Sequence, residues 1–205
     1  MLIGWMALVA CNSVNGTVDG DDIPATPTSF FVEYEDVYGN GDGLIIVYLD
    51  TVEGGCEAFE NRNEDLEDEA SELDLDGYVD VWKETLPEDW WTALIVFRVD
   101  DPDDDQSGIE WKATDWDEGL EDDDEASVTL THYTDYPSDS WSNFLDSISD
   151  TYVSDEGQVN IRRHKPGELI TGYFDAPYVD LDGDDEGEAN INFSASYCEG
   201  AEEYL

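Results

Sequence analysis

The sequence predicts a mainly β domain, an antiparallel β-sandwich or barrel carrying one or two short helices. Three observations lead there. Runs rich in Val, Ile, Tyr, Phe and Trp recur along the chain, clusters of Gly, Asn and Asp separate them, and helical periodicity surfaces in only two places. With 205 residues, 40% of them hydrophobic and 12% aromatic, there is enough apolar material for one domain with a core of its own.

The first strands are SFFVEYEDVY and GLIIVYLD, joined by GNGDG, which has the residues a hairpin turn needs. Gly39, Gly41 and Gly43 do not spell GxGxxG, so no dinucleotide loop is indicated. EAFENRNEDLEDEASEL places Phe59, Leu66, Ala70 and Leu73 near one helical face among acids and predicts a surface helix. WWTALIVFRVD is a long β run, while GIEWKATDW and EASVTLTHYTDY alternate as strands with one wet face. In DSWSNFLDSISDTY, Trp141, Phe144, Leu145, Ile148 and Tyr152 recur at helical spacing, which predicts a second short helix, although the Ser and Asp content suits a loop nearly as well. GQVNIRRH, ELITGYFDAPYVD and EANINFSASYC close the chain as an antiparallel meander.

Charge narrows the function classes. Seven basic residues against 54 acidic ones leave a formal net charge of −47. Nucleic acid is excluded as a partner, because a phosphate backbone is bound through Lys and Arg, and this surface repels polyanions. Cations are its natural counterparts. The self-repulsion of so acidic a chain is relieved by screening salt or bound ions, pointing to halophilic adaptation or a calcium-containing setting, with solubility as the other reading.

The amino terminus bears on compartment. Leu2 to Ala10 is uncharged and apolar, the length of a signal-peptide core and well short of the ~20 residues that span a bilayer. Its end, Leu8-Val9-Ala10-Cys11, resembles the lipobox of bacterial lipoproteins. That resemblance implies cleavage before Cys11, diacylation of its sulfur and acylation of the new amino terminus. The missing Lys or Arg before Cys11 departs from the basic start of a signal peptide. The following NSVNGTVDGDDIPATPTS is small, polar and suited to a tether. The expected organisation is a signal peptide over 1–10, a lipid-anchored flexible linker over 11–28 and one acidic β domain over 29–205. The expected location is the cell envelope, at the outer membrane, its periplasmic face or the cell surface, with the membrane as partner through the lipid.

With Cys11 consumed by lipid, Cys56 and Cys198 remain as an even pair that an oxidising compartment would join. Two buried free thiols in a cytosolic protein are the alternative. No CxxC or Cys/His spacing suggests zinc. The closing run GQVNIRRHKPGELITGYFDAPYV, followed after an acidic gap by GEANINFSASYC, resembles the last strands of uncharacterised bacterial lipoproteins. This second resemblance implies a secreted β domain and attaches no reaction to it.

No catalytic motif is present. The two histidines, His132 in VTLTHYTDY and His164 in NIRRHKPG, stand outside GxSxG and HExxH contexts, and His132 reads as a strand surface residue. Trp90, Trp91, Trp111 and Trp116 are interleaved with carboxylates in EDWW and EWKATDWDEG, compatible with a sugar platform; core or interface Trp is the plainer reading. Calcium is the candidate cofactor, because alternating Asp residues in loops can present several oxygens to one ion. The candidate ligands are Asp180, Asp182 and Asp184 in DLDGDDEGE, Asp101, Asp103 and Asp105 in DDPDDD, and the loop from Asp74 in DLDGYVD; solvated acidic turns are the plainer reading of each. The first is no EF-hand, lacking Gly at position 6 and carrying Ile191 at position 12. Arg162, Arg163 and Lys165 in RRHKPG read as neutralisers of acidic strands. The sequence thus points to a noncatalytic, exported binding or structural protein. A calcium-dependent carbohydrate-binding module for surface glycans and a hydrolase using paired carboxylates are the alternatives.

Overall fold

A computed structural model describes residues 15–18, 21–22, 28–37, 41–72, 74–114, 120, 125–133, 150–154, 156–180 and 186–205. The expected mainly β, mostly antiparallel architecture is found, and the pairings of its sheet close into a ring. The strands are β1 (Asn15–Val18), β2 (Asp21–Asp22), β3 (Thr28–Tyr34), β4 (Gly43–Asp50), β5 (Trp90–Val99), β6 (Glu110–Ala113), β7 (Glu125–Tyr133), β8 (Asp150–Ser154), β9 (Gln158–Lys165), β10 (Leu169–Asp180) and β11 (Glu186–Tyr197). Around the ring, β11, β3, β4, β5 and β7 follow one another. From β7 the pairing reaches β10 twice, through β8 and through β6 and β9, and β10 returns to β11. Among the described residues, only β11 with β3 and β6 with β7 run parallel.

Burial explains the sequence pattern of the first hairpin. Phe31, Ile45, Val47 and Leu49 belong to the cluster inside the ring, whereas Phe30, Val32, Ile46 and Tyr48 form a second cluster on the opposite face. Strands covered on both sides read as continuous apolar runs, as SFFV and LIIVYL do. The cover is helical. Two helices, α1 (Gly55–Glu72) and α2 (Leu75–Thr85), lie between β4 and β5 in the chain, and a terminal 3-10 turn spans Glu199–Glu203. β5 alternates, with Ala93, Ile95, Phe97 and Val99 inward and Leu94 and Val96 packed toward the helical layer.

Several expectations change. α1 forms where periodicity places it, and Phe59 and Leu66 are buried, but Ala70 is exposed and Leu73 lies outside the described residues. The buried stripe instead includes Arg62. The Asp74 stretch, expected as a loop, starts a helix. Asp74 caps α2, its Oδ1 accepting from Gly77 N at 3.1 Å, so the carboxylate serves the helix start. Of the second predicted helix, residues 141–149 lie outside the described set, and Tyr152 stands on β8, paired with Leu130 across the ladder. The sheet also begins inside the expected linker, since Asn15–Val18 pairs with β11. Gly16 permits that approach: a Cβ there would sit 2.0 Å from Asn190 O. Cys11 lies outside the described residues.

Candidate functional site

A buried ion pair lies under α1. β4 ends on Asp50, which is 1% exposed. Its Oδ1 accepts from Val52 N at 2.7 Å and its Oδ2 from the Tyr48 hydroxyl at 3.0 Å, with the Arg62 guanidinium 3.6 Å away. Burial pushes the Asp50 carboxyl up to about 6, against the opposing pull of the Val52 N–H, Arg62 and Tyr48. Burial, followed by the neighbouring Asp50 charge, holds the Tyr48 hydroxyl well above its ordinary range.

Aromatic rings surround the ion pair. The Arg62 guanidinium lies 5.4 Å from the Phe59 ring centre and 5.9 Å from that of Trp90. Trp90 stacks on Tyr133 at 3.9 Å, and Trp82 meets both edge-on. Trp82 Nε1 is buried without a hydrogen-bond partner among the described residues. Arg62 borders a groove of about 300 Å³, together with Val52, Glu53, Asn61, Asp65 and Thr85. Asp50 does not reach that groove, so it is placed to hold Arg62 rather than to meet a solute.

A second concavity, of about 330 Å³, is lined by Glu33, Tyr34, Glu35, Asp103, Tyr197 and Glu202. Tyr34 donates to Glu202 O and Tyr197 to Glu202 Oε1, each at 2.5 Å. The Tyr197 hydroxyl is raised well above its usual range, first by that bond to Glu202 and then by burial. Glu33 accepts from Gly167 N at 3.0 Å and faces His164 Nε2 at 2.9 Å. His164 is 3% exposed, and its Nδ1 sits 3.3 Å from Gln106 N and 3.2 Å from Asp104 O. One ring nitrogen cannot accept from the first and donate to the second at once, so its tautomer selects between them. His164 is thus a buried clamp between the acidic pocket and the Asp101–Ser107 turn.

That turn absorbs one predicted metal loop. Asp101 Oδ1 accepts from Asp103 N and Asp105 Oδ1 from Ser107 N, each at 2.9 Å. The Ser107 hydroxyl and N–H lower the Asp105 carboxyl below its usual range. Gln106 Nε2 braces the turn at Asp101 O and Asp104 O. Asp101 and Asp105 each spend a carboxylate oxygen on the turn, and the ligand atoms of Asp101, Asp103 and Asp105 do not all lie within 4.8 Å of one another. Asp180 ends β10, while Asp182 and Asp184 lie outside the described residues.

The aromatic candidates separate. Trp111 is core at 1% exposure, Trp90 belongs to the helical layer, and Trp116 lies outside the described residues. Trp91 is half-buried, stacked on His132 at 4.0 Å, and His132 Nε2 lies 2.8 Å from Asp89 Oδ1. His132 is therefore a partly covered strand residue. Lys165 pairs with exposed Glu168, and Arg162 lies over Tyr173 at 4.9 Å, in keeping with local neutralisation and packing.

Cys56 and Cys198 form a disulfide with a Cα separation of 5.9 Å, tying the first turn of α1 to the end of β11. Glu60, one turn beyond Cys56, brings Oε1 within 3.2 Å of Cys56 Sγ and 3.5 Å of Cys198 Sγ. A disulfide has no hydrogen to donate, so these are contacts rather than hydrogen bonds. Sequence reasoning missed Asp50, Arg62 and Glu60. One signal was available: Arg62 is the sole basic residue in a helix crowded with acids. Compared with known proteins, the chain matches no family model, no curated protein and no solved structure.

Proposed function

We propose that the chain is an exported, lipid-anchored protein of the cell envelope, noncatalytic, whose β domain offers a strongly acidic surface to cations. The observation that carries this reading is the Cys56–Cys198 disulfide, which closes a separation of 142 residues. Such bonds form and persist in oxidising compartments outside the cytosol. The Cys11 lipobox resemblance supports the same compartment, and the net charge of −47 supports cations as the counterpart. The attachment we propose is the lipid on Cys11, on the lipobox resemblance of Leu8-Val9-Ala10-Cys11; among the described residues no helix is long and apolar enough to cross a membrane.

The test is intact mass of the protein from the membrane fraction of an expressing bacterium, before and after reduction. A chain starting at Cys11, carrying acyl groups and gaining two hydrogens on reduction, is the expected result. An unprocessed chain in the soluble fraction, even after a basic start is supplied before Leu2, overturns the anchor. A missing mass gain overturns the oxidised pair.

A further inference from the structure

We propose that the Cys56–Cys198 pair, once reduced, becomes a site for a thiophilic divalent cation of the zinc class, with Glu60 as third ligand. This inference concerns the reduced chain and rests on the placement of Cys56, Cys198 and Glu60, not on the lipid anchor or its compartment. Cys56 and Glu60 stand one turn apart on one face of α1, the spacing that brings two helical side chains together. Cys198 arrives from the opposite side, positioned by its N–H donated to Phe31 O at 2.9 Å. The two sulfurs and a Glu60 oxygen lie within 4.8 Å of one another, the one such trio among the described residues.

The distances suit a tetrahedral ion. Zinc–sulfur bonds of about 2.3 Å and zinc–oxygen bonds of about 2.1 Å place sulfur and oxygen ligands about 3.6 Å apart. Glu60 Oε1 already stands 3.2 and 3.5 Å from the two sulfurs. Only the sulfur–sulfur distance must open, to about 3.8 Å, which breaking the bond allows. Gly200 supplies the room for the carboxylate: a Cβ there would lie 2.2 Å from Glu60 Oε1. Cys56 is half-buried, which leaves an approach to the trio.

Charge supplies the driving force. In the disulfide the sulfurs are neutral, and Glu60 faces no like charge from them. Reduction by a dithiol delivers two electrons and two protons, converts the reductant to its own disulfide and leaves two thiols beside the carboxylate. Ionising both thiols there would place three negative charges together in a chain of net charge −47. A dication displaces the two thiol protons and compensates the cluster, and soft sulfur ligands select zinc or cadmium over calcium. The metal would then tie α1 to β11 in place of the covalent bond.

The test uses the full chain with Cys11→Ser, so that two thiols remain, reduced with a phosphine and titrated with cadmium as a thiolate probe. The expected result is an ultraviolet thiolate-to-cadmium band that saturates at one ion per chain, is absent from the oxidised protein and is displaced by zinc. Glu60→Gln keeps both thiols and is expected to weaken binding at least about tenfold, the lower end of what losing even an outer-shell partner of a metal costs. No band, or an unchanged affinity in Glu60→Gln, overturns the site. Should reduction unfold the chain, circular dichroism decides. Zinc-driven refolding lost in Glu60→Gln supports the proposal, and cadmium binding without refolding overturns it.

Discussion

The interior of the ring and the layer under the helices solve the same packing problem with different chemistry. Inside the ring, Phe31, Phe97, Trp111, Ile161 and Phe174 meet other apolar side chains, and the polar backbone is spent on the ladders. Under α1, β4 presents buried Asp50 to Arg62 of the helix, among the rings of Phe59 and Trp90. An apolar core tolerates volume-conserving exchange because its attraction is not directional. A buried ion pair depends on both partners being present and on which protonation state one of them holds.

Converting Cys198 to Ser removes the disulfide, and closing so long a loop is worth up to about 5 kcal/mol in the chain-entropy model. Urea unfolding of this variant against the oxidised parent should show the largest drop of the series. Phe97→Ala, inside the ring at 1% exposure, is expected to cost about 4 kcal/mol at every pH. Arg62→Ala is expected to cost about 3 kcal/mol near neutral pH, because it leaves a buried carboxylate without its cation. That loss should shrink in acid, where Asp50 takes up a proton, and replacing Asp50 and Arg62 together by Leu and Met should cost less than the two single losses added. A loss from Arg62→Ala as pH-independent as that from Phe97→Ala would remove the distinction between the two regions.

The pH dependence sharpens it further. The Asp50 carboxyl is raised to about 6 in the folded chain, from an ordinary 3.8. Between these values the folded state holds a proton that the unfolded state has released. Asp50 therefore contributes most below about pH 4, and that contribution is lost as pH rises through about 6. The stability difference between the parent and Asp50→Asn should fall by on the order of 3 kcal/mol from pH 4 to pH 7. Comparing the two proteins cancels the titration of the surface acids, and a flat difference would contradict the assignment.

Smaller effects test the surface. With a net charge of −47, the melting temperature should rise with sodium chloride, as screening relieves self-repulsion. A further rise on micromolar calcium at fixed ionic strength would mark a specific site of the kind expected at Asp101 or Asp180, and its absence would leave screening alone. Lys165→Ala, which removes one exposed pair, should leave the melting temperature unchanged.

Local pattern made much of the fold legible. GLIIVYLD and WWTALIVFRVD became β4 and β5 because runs of β-branched and aromatic residues fit a pleated surface. α2 is hard to read locally because Asp74-Leu75-Asp76-Gly77 has the composition of a turn; Asp74 acts there as a cap, and Val79 and Trp82 supply the buried face. Tyr152 joined a helical repeat by spacing, yet its ladder partner Leu130 holds it on a strand. Such a partner lies far away in the chain and leaves no trace in a local period.

Acidity, a strand-rich composition and an even cysteine pair belong to the chain before it folds. These are sums and short-range patterns, and folding does not alter them. Only the folded chain sets Asp50 against Arg62, His164 against Glu33 and Glu60 beside the two bonded sulfurs. Glu33 and His164 are 131 residues apart, and only the closing of β11 against β3 and β10 brings their strands together. Burial then changes what those side chains can do, because a charge removed from water depends on whichever partner the fold delivers.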